Sequence, residues 1–166
     1  MQYIYQTVTT LILSSLLLFG GAPGLAQSAP PVPDELYDGK TLTAQQIEAL
    51  GALPSYTSAQ SRYRVLPAPA TIQKAHSGST RILTEQGVVV TSYHQVMLSD
   101  VAENQVRQAA ARGPRPVRIT YLAPTGITLL EYADFSQTMA GLNALQAQLP
   151  RTLVRLPLSS GKLVAH

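Results

Sequence analysis

The sequence predicts an α+β domain built on a ferredoxin-like sheet: strand-helix-strand-strand-helix-strand, both helices on one face, with extra hairpin strands at its two ends. Three observations lead there. Residues 118–150 place two strand-forming runs around the turn Ala123-Pro124-Thr125-Gly126, and an amphipathic helical pattern follows them directly. A less regular hairpin-then-helix order precedes it between residues 80 and 113. From Val88 to Pro157 the resulting order is strand, helix, strand, strand, helix, strand. Right-handed crossovers set the strands flanking each helix parallel, and the hairpin between them is antiparallel.

The segment from Met1 to Ala26 has no charged side chain, and its apolar centre from Leu11 to Phe19 gives way to Gly20-Gly21 and then to small residues at Gly24 and Ala26. That layout predicts a secretory signal peptide over residues 1–26 and hence export, to the periplasm or beyond the cell. Its apolar run falls short of the roughly 18–20 residues that cross a bilayer. Residues 27–79 read as a Pro/Ala/Ser-rich linker and arm with one short helix. That helix begins at Thr43, where Thr43 and Gln46 have the spacing of a capping box, and it ends at Gly51 and Pro54. The run from Tyr63 to Leu66 suggests an edge strand; the rest of residues 55–79 reads as loop.

Residues 80–166 form the expected folded domain. Arg81-Ile82-Leu83, a turn at Glu85-Gln86-Gly87, and Val88 to Tyr93 predict a first hairpin, and three consecutive valines mark a buried strand. Residues 94–98 read as a bridge into a helix capped by Ser99 or Asp100, with Glu103 completing a capping box and Gly113-Pro114 ending the helix. In the second unit Val117, Ile119 and Tyr121 alternate on one strand face. Asp134 caps the next helix with Gln137 answering, Phe135, Met139, Leu142, Leu145 and Leu149 form its stripe, and Pro150 stops it. A closing hairpin is expected around Ser159-Ser160-Gly161. Arg81, Arg118 and Arg155 recur at an interval of 37 residues, which suggests a duplicated unit.

The chain has no cysteine, which excludes disulfides, thiol chemistry and cysteine metal sites. From residue 105 onward seven basic residues face only Glu131 and Asp134, whereas residues 27–104 hold seven acids against five bases. The most basic stretch carries Arg112, Arg115 and Arg118, a candidate contact for an anion or a partner. Without interleaved aromatics it does not suggest nucleic acid. Tyr93, Tyr121 and Tyr132 lie on or beside predicted strands and form a candidate interaction surface, since tyrosine combines large contact area with a polar tip.

No catalytic, metal or cofactor constellation emerges. His76, His94 and His166 have no carboxylate at ligand spacing. Ser92, His94 and Asp100 contain the residue types of a triad, but no nucleophile elbow surrounds the serine. The reading that follows is a small exported, non-enzymatic binding module that uses an exposed sheet face or edge to hold another protein or an envelope component. Membrane contact is expected only through a leader that stays attached. Two alternatives stand beside it: an exported hydrolase using His94 with a nearby serine, and an assembly or inhibitor module acting through its Pro-rich arm.

Overall fold

The computed structural model describes residues 36–59, 61–68 and 78–161. In chain order these form α1 (Ala44–Ala49), β1 (Ser55–Thr57), β2 (Arg62–Val65), β3 (Thr80–Leu83), β4 (Val89–Ser92), β5 (Gln95–Ser99), α2 (Glu103–Ala111), β6 (Arg118–Leu122), β7 (Ile127–Glu131), α3 (Phe135–Gln148), β8 (Leu153–Arg155) and β9 (Leu158–Ser159). The architecture is mixed α/β. The strands make two antiparallel sheets, one ordered β1-β2-β3-β4-β9 and the other β6-β7-β5-β8.

The single extended sheet expected from the sequence is thus replaced by two. Val88 to Tyr93, read as the first strand of the six-element run, contributes β4 to the five-stranded sheet instead. The chain then turns at His94, whose φ of 58° is left-handed, and residues read as a bridge form β5 in the middle of the other sheet. The cause is a short period-two pattern: Val96 and Leu98 are buried while Gln95, Met97 and Ser99 face the other way. The expected closing hairpin does not form as read. β8 pairs with β5 while β9 pairs with β4, so the chain leaves one sheet for the other at Leu156-Pro157; Lys162 to Ala165 lie outside the described residues. The 37-residue interval likewise fails to mark equivalent sites, since Arg81 lies inside one sheet and Arg118 and Arg155 on opposite edge strands of the other.

Two local readings change as well. Ser55–Thr57 and Arg62–Val65 are paired strands, with Tyr56 opposite Tyr63, and β2 also pairs with β3, so the supposed edge strand is internal. Helix α2 starts later than its capping pattern suggests. Ala102 is its N-cap without a side-chain hydrogen bond, because Asp100 sits in a left-handed conformation (φ 58°) with its backbone N–H donating to Gly126 O at 2.9 Å.

Other local signals hold. Thr43 Oγ1 accepts from Gln46 N at 3.2 Å while Gln46 Oε1 accepts from Thr43 N at 2.9 Å, closing the capping box of α1. Asp134 Oδ1 accepts from Gln137 N at 2.7 Å at the start of α3, and the Ala123–Thr125 turn closes on Gly126 with a left-handed φ of 66°.

Packing explains why two sheets suffice for a chain without cross-links. Val106, Ala109 and Ala110 of α2 and Phe135, Met139, Leu142 and Leu145 of α3 bury against Val96, Leu98, Leu130 and Val154, so both helices cover the same face of the four-stranded sheet. Ile82 and Val90 bring one face of the five-stranded sheet into that cluster, and Tyr56 and Tyr63 meet Phe135 edge-on at centroid distances of 5.4 and 6.3 Å. The opposite face of the five-stranded sheet, at Leu66, Leu83 and Val89, is covered by Leu36, Leu42 and the α1 side chain Ile47. Each aliphatic side chain buried this way contributes about 1.5–3 kcal/mol.

Candidate functional site

Among the described residues, strand parity leaves one large sheet face uncovered. With Val96, Leu98, Thr128, Leu130 and Val154 turned towards the helices, the alternate residues point out of the opposite face of the four-stranded sheet. Register arranges them in rows. One row crosses Leu122, Ile127, Ser99 and Leu153; the next crosses Thr120, Leu129, Met97 and Arg155; the last crosses Arg118, Glu131 and Gln95. Leu122 is 40% exposed and Leu153 46% exposed, so the outer ends of the first row stand in solvent. The middle of the face is aliphatic, and one end is polar, where Arg118 Nε reaches Glu131 Oε2 at 3.8 Å. An opposite-charge pair directly across two strands adds modestly to their pairing.

The residues singled out from the sequence fall in different places. Arg112, Arg115 and Arg118 are all exposed, but only Arg118 belongs to this face. Arg112 is the C-cap of α2, where a cation is favoured by the helix carbonyls. The three tyrosines do not make a common surface, and that expectation is corrected. Tyr93 is 49% exposed at the corner between the sheets, whereas Tyr132 is 3% exposed and packed under α3. Tyr121 shares its parity with Ile119 and points to the helix side, opposite Thr128. Tyr132 follows β7 directly, and its ring lies against Gly141, where an added Cβ would overlap the phenol. Burial also pushes the Tyr132 hydroxyl pKa up to about 12.

His94 is built into the fold. Its ring Nε2 lies 2.7 Å from Thr80 Oγ1, its carbonyl accepts from Tyr132 N at 2.8 Å, and its own N–H donates to Ser92 Oγ at 3.3 Å. The left-handed backbone, the Thr80 contact and the Tyr132 contact together fix the point where β4 of one sheet becomes β5 of the other. Burial lowers the His94 pKa, opposed by the negative charges of Asp134 and Glu131. Ser92 is fully buried and meets the histidine backbone rather than its ring. Asp100 lies at the far end of β5, on the order of 20 Å of extended chain from His94. Ser92, His94 and Asp100 are therefore not brought together as nucleophile, base and orienter. His76 and His166 lie outside the described residues. Among the described residues no group of His, Asp and Glu is placed to hold a metal ion, and no helix is long and apolar enough to cross a membrane.

Reading strands from the sequence missed Met97, Ile127, Leu129 and Leu153 as surface residues. The available signal was the alternation in Gln95–Ser99 and Ile127–Glu131, which marks a sheet covered on one side only. No family model, curated protein or solved structure matches the chain.

Proposed function

We propose that this chain is an exported, non-enzymatic binding module whose open sheet face holds a protein partner. The observation that carries the reading is the ordered apolar centre at Met97, Ile127 and Leu129, extended by the exposed Leu122 and Leu153 on the two edge strands. A contiguous apolar area rimmed by polar groups is what protein interfaces use, and soluble chains seldom leave one uncovered. The charge pattern points to the partner's chemistry. Arg118 is neutralised by Glu131, but Arg155 ends the Thr120-Leu129-Met97 row and is exposed. The complementary surface is an apolar protein segment carrying a carboxylate opposite Arg155.

The ferredoxin-like reading of the four-stranded unit belongs to the same proposal, with β5 in place of Val88 to Tyr93 as its first strand. Its support is the order β6-β7-β5-β8, with α2 joining β5 to β6 and α3 joining β7 to β8. In that arrangement helices protect one face and leave the other for recognition.

Site-specific photo-crosslinking in the producing cells tests the reading. A photoreactive residue at Leu122 or Leu153 should give one discrete protein adduct, lost when Met97→Asp is added. The same probe at Gln108, exposed on α2, should give none. Identical adducts from all three positions, or none from the sheet face, overturn it.

A further inference from the structure

We infer that the chain carries a second binding site, separate from the open sheet face, in a groove between α1 and β2 that takes a short zwitterionic peptide. The groove has a volume of about 580 Å³, within the range of small-ligand sites. One wall is a single stripe of α1 and its C-terminal turn, Ala44, Ile47, Glu48 and Gly51, which recur at helical spacing. The other wall comes from the sheet. Arg62 and Arg64 project from the same side of β2, and Leu83 and Glu85 follow along β3 and its turn.

The chemistry of these walls is paired by sign. Two guanidinium groups rise from positions about 7 Å apart along one strand, and two carboxylates, Glu48 and Glu85, line the same groove. All four side chains are exposed, and none is engaged by a hydrogen bond or ion pair among the described residues. Between them Ile47 and Leu83 give an apolar floor that is anchored in the core cluster beneath. A peptide with free ends matches this arrangement. Its carboxylate accepts from the planar forks of Arg62 and Arg64, its ammonium donates to Glu48 and Glu85, and a small aliphatic side chain rests on the floor. A simple anion would satisfy the arginines but meet the glutamates as like charges. The elements around the groove are held by hydrogen bonds: the capping box closes the start of α1, and β2 is bonded on both sides.

The test is a titration of the isotopically labelled full chain with the tripeptide alanyl-leucyl-alanine, followed by amide chemical shifts. Three peptides are compared: free at both ends, N-acetylated, and C-amidated. The free peptide should shift Ile47, Leu83 and Thr84 at millimolar concentration, and blocking either end should weaken binding about tenfold. Arg62→Gln with Arg64→Gln should abolish discrimination against the amide, and Glu48→Gln with Glu85→Gln should abolish discrimination against the acetyl peptide. Equal binding of the three peptides by the wild-type chain, or shifts confined to residues outside the groove, overturns the inference. Because the peptide comparison needs no variant, it stands even if a substitution disturbs the fold, and it is read on residues remote from the open sheet face.

Discussion

The two sheets, with strands of 2–4 residues in the five-stranded one and 3–5 in the four-stranded one, differ most in their surroundings. β4 of the five-stranded sheet is buried at every position, because the helix-covered core meets one face and the α1 segment meets the other. β5 and β7 of the four-stranded sheet alternate strictly between buried and half-buried residues. A strand buried on both sides is a structural member, whereas a strand with a regular half-exposed second face has a surface to offer. The difference is the physical basis for proposing the smaller sheet as the binding surface and the larger one as its support.

The largest expected effect breaks this comparison within a single strand pair. Leu98→Ala removes a fully buried side chain from the helix-facing side of β5 and should cost about 3 kcal/mol. Leu122→Ala, on the open face of the neighbouring β6–β7 hairpin, should change stability by no more than about 0.5 kcal/mol. Urea unfolding of both variants checks this. Comparable losses would mean that the open face is packed against something and is no free surface.

A smaller effect sharpens the same contrast from the covered side. Gly141 lies in the interior of α3, where a glycine is intrinsically unfavourable, and its place is explained by the Tyr132 ring that fills the space of a side chain. Gly141→Ala should gain helix propensity yet destabilise by about 1–3 kcal/mol through overpacking. Adding Tyr132→Leu should recover much of the loss, and a double-mutant cycle by thermal unfolding measures the coupling. Additive losses would show that the helix accommodates the methyl group by shifting away from the sheet.

What was legible in the sequence follows the length over which a pattern repeats. The Phe135 to Leu149 stripe, the Asp134 cap and the turn at Gly126 were readable because each rests on neighbours in the chain. β5 was not, since five residues between a histidine and a predicted cap offer too short an alternation to outweigh a helix start. The separation of β8 from β9 was hidden for another reason. A hairpin and a crossover between sheets differ only in which distant strand supplies the hydrogen bonds, and that choice is made by β4 and β5. The tyrosines part for different reasons: strand parity turns Tyr121 to the helix side, Tyr132 follows β7 under α3, and Tyr93 stands at the corner between the sheets. The open face is a product of pairing, so none of its rows exists in any single segment.

The smallest effect concerns the joint between the two sheets. His94 is buried at the β4–β5 corner, contacts Thr80, and has a pKa lowered from its ordinary 6.5 by burial, despite the opposing charges of Asp134 and Glu131. The neutral ring is therefore the form the fold accepts. As pH falls below 6.5 the unfolded chain binds the proton first, so stability declines with decreasing pH and levels off once the folded-state pKa is passed. His94→Asn keeps a residue that tolerates left-handed backbone and removes the titrating ring. It should lower stability near neutral pH by losing the ring's packing and its Thr80 contact, while flattening the pH dependence between the two pKa values. Chemical denaturation of both proteins across mildly acidic pH compares the slopes. Parallel slopes would place the acid sensitivity elsewhere. A shallower slope in the variant assigns it to the histidine that turns the chain from the five-stranded sheet into the four-stranded one.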